Sequence, residues 1–249
     1  MLASTSTLHH RLRSEHGFTL METLVAMVAG ILVAFAATML LRVSLEQTER
    51  ASDYVQASQL GRTALTRIVD ELNSACLRSG FAPVQAKSTP EKLIFYAAFS
   101  KEPEIPNSQI QFHEIEWVSA SGNLYDAKTV VTGTSGTEYT HSATVPKVLI
   151  GTHIAKNEPE PIFRYYEYNT AATSSTETGV APFKEIKLAA KEGLSTTQAE
   201  EVASVQISFR ALPTNGKVGA GRSLDLRSQV TFAFSAPIAE PTITDQPCQ

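Results

Sequence analysis

The sequence predicts an α+β fold, in which a long N-terminal helix packs on an antiparallel β-sheet head. Three observations lead to this prediction. Residues 23–41 form an uncharged apolar run. The polar residues that follow keep a helical periodicity to about Leu77. The remainder of the 249-residue chain contains short β-type runs separated by turn residues.

The apolar run is long enough for a membrane helix. At about 1.5 Å per residue, residues 23–41 nearly span a hydrocarbon core of about 30 Å. Arg42 follows directly and can extend toward the lipid head groups, and Gly30 suits close helix packing. Extending the helix back to Phe18 adds one charge, Glu22. A carboxylate at hydrocarbon depth is costly, and it suggests a functional role.

Two interpretations of this N-terminus assign no role to Glu22. A secretory signal would use Arg11 and Arg13 as its basic region and the Ala-Phe-Ala of residues 34–36 as its cleavage site, but apolar sequence continues past this site. A plain single-pass anchor, with Arg11 and Arg13 in the cytoplasm, accounts for the length of the run. Neither interpretation compensates the charge of Glu22.

A third interpretation starts from the residues around Glu22. Gly17, Phe18 and Glu22 stand in the register of a G-F-T-L-x-E motif, and a polar leader precedes them. This segment resembles the type IV pilin and type II secretion pseudopilin superfamily, whose prepilin signature combines a glycine, a methylated aromatic residue and a glutamate at the fifth mature position. The resemblance is close over roughly the first quarter of the chain.

The resemblance implies a processing route and a location. Prepilin peptidase would cut after Gly17, remove the leader peptide of residues 1–17 and methylate the new amino group of Phe18. Glu22 would neutralise that amino group in its own chain or in a neighbouring subunit. The protein would cross the inner membrane once, with its head outside the cytoplasm. Its partners would be other pilin or pseudopilin subunits, the prepilin peptidase, the inner membrane and the assembly platform of a pilus or secretion system.

The predicted helix has a transmembrane and assembly part, residues 18–42, and an amphipathic part, residues 43–78. One apolar stripe in the second part follows helical spacing and comprises Leu65, Ile68, Val69, Leu72 and Cys76, extended by Tyr54, Ser58 and Gly61. The charged residues of this part, among them Glu71, are expected at solvated positions. Residues 67–75, followed by Gly80-Phe81, are also similar to J-type pseudopilins and W-type minor pilins.

Residues 79–235 are predicted to form the β-rich head, and residues 236–249 an extended tail. The β-type runs are residues 93–99, 109–118, 125–132, 162–168, 183–189, 202–212 and 224–234. The last two runs predict a long-looped hairpin. The composition of residues 132–137 and 170–179 predicts loops.

One of these runs shows a clear alternation. In residues 109–118, Ile115 and Trp117 share one face while Glu114 and Glu116 share the other, which is typical of a half-buried strand. The two glutamates are therefore interpreted as a solvated face.

The sequence contains no recognisable catalytic motif. It lacks the G-x-x-x-x-G-K-[ST] phosphate loop, the H-E-x-x-H zinc motif and the G-x-S-x-G nucleophile elbow. His113, His141 and His153 are interpreted as single surface histidines, and no Cys/His spacing matches a zinc finger. We expect no enzymatic activity, no cofactor and no metal site, while a calcium site built from separate loops stays open.

Net charge and cysteine content bear on nucleic-acid binding and on disulfide formation. With 21 basic and 25 acidic residues the net charge is −4, so nucleic-acid binding is not expected. Cys76 and Cys248 leave two alternatives open, a disulfide outside the cytoplasm or two unpaired thiols.

These observations favour a structural subunit. The chain is larger than a typical major pilin and its head lacks a glycine-rich repeat, so a minor pilin or pseudopilin is expected. The alternative is a membrane-anchored extracytoplasmic binding module, an adhesin or a DNA-uptake receptor, whose serine- and threonine-rich loops would contact the ligand.

Overall fold

The computed structural model describes residues 19–75, 82–99, 109–135, 138–142, 145–169, 182–188, 192–215 and 221–232. Two helices and ten strands lie within these residues. In chain order they are α1 Leu20–Asn73, β1 Lys92–Phe99, β2 Gln109–Val118, β3 Asn123–Ser135, β4 Glu138–His141, β5 Lys147–Gly151, β6 Ile154–Ala155, β7 Phe163–Tyr168, β8 Phe183–Ile186, α2 Thr196–Glu201, β9 Val202–Ala211 and β10 Leu224–Thr231.

The predicted α+β class is confirmed, because a long N-terminal helix packs on antiparallel β-sheets. The chain divides into two compact units, residues 1–49 and residues 50–249. The first described part of α1 belongs to the first unit, and residues 50–73 of the same helix belong to the second.

The first sheet has the strand order β1-β2-β3-β4, and β5 also pairs with β3. All of these pairings are antiparallel. Phe95 pairs with His113 across β1 and β2, and Ile115 pairs with Asp126 across β2 and β3. The alternation predicted in β2 is confirmed, since Ile115 and Trp117 are buried while the intervening Glu116 is half-exposed.

The second sheet has the order β10-β9-β7-β8, with β6 pairing to β9 beyond the end of β7. The predicted long-looped hairpin is present as β9 and β10, which run antiparallel from the pair Ala211–Leu224 to the pair Ser204–Thr231. Strand β9 is buried on both faces along most of its length. It is therefore the central strand of this sheet.

Small residues bring α1 close to the sheets of the second unit. Its buried face includes Ala57, Gly61 and Ala64, followed by the larger Ile68 and Leu72. A Cβ added to Gly61 would lie 2.5 Å from the Ala211 Cβ. A hydrophobic core cluster joins this helix face to side chains of both sheets.

Several sequence predictions of local structure were wrong. Tyr54 is 41% exposed, so the buried stripe passes instead through Asp53 and Ala57. Residues 132–135, predicted as loop, continue β3, which pairs with β4. Backbone pairing does not require apolar side chains, so a Thr- and Gly-rich composition concealed this hairpin.

Besides β4, three short elements were not predicted. Strand β5 exposes most of its side chains and β6 has two residues, so neither produces an alternating pattern. Helix α2 has six residues and begins with a capping box between Ser195 and Gln198, a signal that the sequence did contain. The predicted loop of residues 170–179 and the tail of residues 236–249 lie outside the described residues.

Candidate functional site

The first candidate site is the apolar surface of α1 in the first unit. Its large apolar side chains between Leu20 and Leu45 are 47–84% exposed. None of the most apolar 18-residue window is buried by the rest of the chain. Among the described residues this is the one helix long and apolar enough to cross a membrane, by length and composition.

Glu22 lies in the first turn of α1. Its backbone N–H donates to the Thr19 carbonyl at 3.0 Å and lies 3.3 Å from the Thr19 hydroxyl oxygen. Thr19 therefore occupies the cap position, and Thr19-x-x-Glu22 has the spacing of a capping box. A carboxylate in this turn also faces the positive end of the helix dipole.

The other predicted site residues lie outside the described part of the chain. They are Gly17, Phe18, Cys76 and Cys248. Their predicted roles in cleavage, methylation and disulfide formation stay predictions.

A second candidate site lies inside the head. Glu71 of α1, His113 of β2 and Asp126 of β3 bring together one ligand atom each, and these atoms all lie within 4.8 Å of one another. His113 and Asp126 are fully buried, and Glu71 is 7% exposed. No other described group of three or more His, Cys, Asp or Glu side chains meets this distance.

One ring nitrogen of His113, Nδ1, faces both carboxylates and is hydrogen-bonded to Asp126. This nitrogen is 3.2 Å from Asp126 Oδ1 and 3.9 Å from Glu71 Oε2. The Phe95 ring stacks on the His113 imidazole with a centroid separation of 5.1 Å. Glu71 Oε1 accepts a hydrogen bond from Arg67 Nε at 3.2 Å.

The environment of Glu71 disfavours its charged form. Burial raises the pKa of this carboxyl, and the nearby charge of Asp126 raises it further. His113 and Arg67 lower the pKa in the opposite direction, but the balance stays upward. The ionised form of Glu71 is therefore disfavoured in this cluster.

This cluster corrects two expectations from the sequence. His113 is not a surface histidine, and Glu71 is not at a solvated position. The alternation of β2 contained the missed signal, because His113 shares the inward face of Ile115 and Trp117. His141 is half-buried and stacks on Phe112, and His153 is also half-buried.

Glu114 and Glu116 agree with their interpretation as a solvated face, although Phe112 on the same side of β2 is buried in a separate cluster with Ile94 and Tyr96. Glu114 lies 3.8 Å from the Lys92 Nζ, and Glu116 lies 2.5 Å from the Lys147 Nζ. Both glutamate side chains are partly exposed, so each forms an ordinary surface ion pair.

No protein-family model matches the chain, and neither a curated protein nor a solved structure is significantly similar to it.

Proposed function

We propose that this protein is a structural minor pilin or pseudopilin, processed after Gly17 and assembled through α1 into a type IV pilus or a type II secretion pseudopilus. The observation that carries the proposal is the combination of a G-F-T-L-x-E motif with an apolar helix segment in which no residue is buried. It has no enzymatic role in this proposal.

The exposed apolar surface requires an environment other than water. Soluble proteins rarely expose a contiguous apolar patch of more than a few hundred Å², whereas this segment exposes large apolar side chains on every turn. Lipid can cover such a surface before assembly, and the helices of neighbouring subunits can cover it in a filament. A single-pass inner-membrane location with the head outside the cytoplasm follows from this proposal.

Glu22 has a specific task in the proposed filament. Removal of the leader creates a positive amino group on Phe18, four residues before Glu22. The Glu22 carboxylate, in the same chain or on a neighbouring helix, neutralises this amine in a medium of low dielectric constant. The proposed charge pair would therefore favour the packed helices over lipid-dispersed subunits.

In this proposal α1 also attaches the head to the filament. Residues 50–73 of α1 contribute Ala64, Ile68 and Leu72 to the hydrophobic core of the second unit. A subunit that enters a filament through the first part of α1 thus brings a folded β-sheet head with it. The length of the chain, 249 residues, favours a minor subunit over the main building block.

Mass spectrometry of the mature N-terminus tests the proposal. The chain is expressed with a prepilin peptidase and purified from membranes, and its N-terminal peptide is sequenced. We expect N-methylated Phe18. An intact Met1 would indicate a plain anchor, and an N-terminus beyond Ala36 would indicate a secretory signal, so either result would overturn the proposal.

A matched pair of variants controls this measurement. Gly17→Val places a branched side chain at the cleaved bond and should leave the leader attached. Gly30→Val carries the same change inside the apolar run, where the space around Gly30 is open, and should be processed normally.

A further inference from the structure

The buried cluster of Glu71, His113 and Asp126 is independent of the proposed assembly surface. All three residues belong to the second unit, and none lies in the exposed apolar segment of α1. They come from one helix and two strands, and they converge although nothing in the sequence places them together. Two carboxylates at such burial need a compensating positive charge.

Two carboxylate oxygens of this cluster have no hydrogen-bond donor among the described residues. Arg67 donates to Glu71 Oε1, but no described donor forms a hydrogen bond to Glu71 Oε2 or Asp126 Oδ2, and both oxygens are buried. Asp126 is fully buried, and the Glu71 side chain is 9% exposed. Buried polar atoms are normally satisfied, so the two oxygens point to a missing ligand.

We propose that Glu71, His113 and Asp126 bind one divalent transition-metal cation, with Zn²⁺ the best fit, and that this ion ties α1 to β2 and β3.

The distances within the cluster suit this ion. Tetrahedral zinc with bonds of about 2.0–2.1 Å separates its ligand atoms by about 3.3 Å. The three ligand atoms lie within 4.8 Å of one another, with His113 Nδ1 3.2 Å from Asp126 Oδ1 and 3.9 Å from Glu71 Oε2. Without the ion the shorter contact is a hydrogen bond, which the ion would replace while the carboxylates move closer around it. A water molecule would supply the fourth ligand.

The donor set and its charge select the class of metal. An imidazole nitrogen suits zinc and its transition-metal neighbours, whereas calcium and magnesium prefer sets made of oxygen alone. Two ionised carboxylates and a neutral imidazole carry a charge of 2−, which a divalent ion balances. Because the cluster is buried beneath a helix, the ion would stabilise the fold, since binding to the folded state alone raises the free energy of unfolding.

The test uses the full chain in detergent, in a Cys76→Ser/Cys248→Ser background that removes thiolate ligands. The protein is stripped with a chelator and then equilibrated with micromolar ZnCl₂. Bound zinc is counted by mass spectrometry, and X-ray absorption at the zinc edge identifies its ligands. We expect about one Zn²⁺ per chain, bound by one imidazole and oxygen ligands, and a Tm that rises with zinc concentration.

Single variants locate the site. Asp126→Asn and His113→Gln should weaken zinc binding by at least about 10²-fold, since changes to outer partners of metal ligands alone cost 10–100-fold. Glu114→Gln is the control, because Glu114 lies on the outward face of the same strand beside Lys92. It should bind zinc as the parent does.

The parent protein decides the outcome even if a variant fails to fold. Absence of stoichiometric zinc in the parent at micromolar concentration would overturn the proposal, as would a ligand shell with several imidazoles. Undiminished binding in a folded Asp126→Asn protein would do the same. The cluster would then be a hydrogen-bonded histidine–carboxylate network.

Discussion

Gly61 of α1 lies directly against Ala211 of β9, the central strand of the second sheet. A Cβ on Gly61 would come within 2.5 Å of both the Ala211 Cβ and the Leu226 Cδ1. Leu226 can change rotamer, but the Ala211 Cβ is attached to the backbone of a buried strand and cannot move alone. The absence of a side chain at Gly61 therefore sets how closely α1 approaches this sheet.

Gly61→Ala should destabilise the head. Helix propensity favours alanine over glycine by about 1 kcal/mol, but overpacking at a close contact costs about 1–3 kcal/mol, so we expect a net loss of about 1 kcal/mol. Chemical denaturation of the purified protein measures this change. Gly30→Ala is the control in the same helix, because nothing lies within 4 Å of a Cβ at Gly30. A Gly61→Ala protein as stable as its parent would contradict the close-contact interpretation.

Glu22→Ala should separate membrane insertion from assembly. Removing a charge from an apolar segment leaves insertion intact or improves it, whereas loss of the partner for the Phe18 amine should reduce incorporation into filaments. Membrane fractionation and the yield of sheared filaments measure the two effects. Asp70→Ala removes an exposed carboxylate from the same helix and should assemble normally. Normal filament yield from Glu22→Ala would exclude charge neutralisation by this residue.

Glu160 should make the head sensitive to acid. Its carboxylate accepts hydrogen bonds from Arg227 and from the Ser208 hydroxyl, and Arg164 lies 3.6 Å away. The Arg227 hydrogen bond is the largest of the causes that hold the pKa of Glu160 below its ordinary value of 4.5. Because the pKa of Glu160 is depressed in the folded state, its ionised carboxylate stabilises the head fully at any pH above the pKa of the unfolded state. This stabilisation is lost as the pH falls through the pKa of the folded state.

Comparison of Glu160→Gln with its parent tests this expectation. The parent should be the more stable protein at pH 7, and the difference in Tm should shrink as the pH falls below about 4.5. Glu158→Gln is the control, since the Glu158 side chain is 77% exposed and 3.9 Å from Lys156. A difference that stays constant from pH 7 to pH 3 would show that Glu160 does not act through its charge.

Ser195→Ala should weaken the start of α2. The Ser195 hydroxyl accepts from the Gln198 N–H at 3.2 Å, and the Gln198 side chain accepts from the Ser195 N–H at 3.0 Å. Loss of an N-cap hydroxyl typically costs about 1 kcal/mol. Hydrogen exchange of the α2 amides should accelerate, while Thr196→Ala, at the first helical position, should leave it unchanged. Unaltered exchange in Ser195→Ala would argue against the cap.

The parts of the fold predicted correctly depend on local patterns. Strand β2 has the bounds that the sequence predicted, and β9 and β10 lie within two predicted β-type runs that are separated by turn residues. The elements that were missed depend on a partner instead. The two residues of β6 are a strand because Ile154 and Ala155 pair with Ala211 and Arg210, and no property of a two-residue segment predicts that pairing.

The two candidate sites also differ in whether local sequence patterns predict them. The sequence by itself determined the apolar helix segment and the place of Glu22 near its start, because composition and spacing along one helix are local properties. The helix ends at Asn73, before the predicted end near residue 77. Only the tertiary structure decided that Glu71, His113 and Asp126 meet. Their meeting depends on the register between β2 and β3 and on the face that α1 turns toward them, and both are set by packing of the whole core.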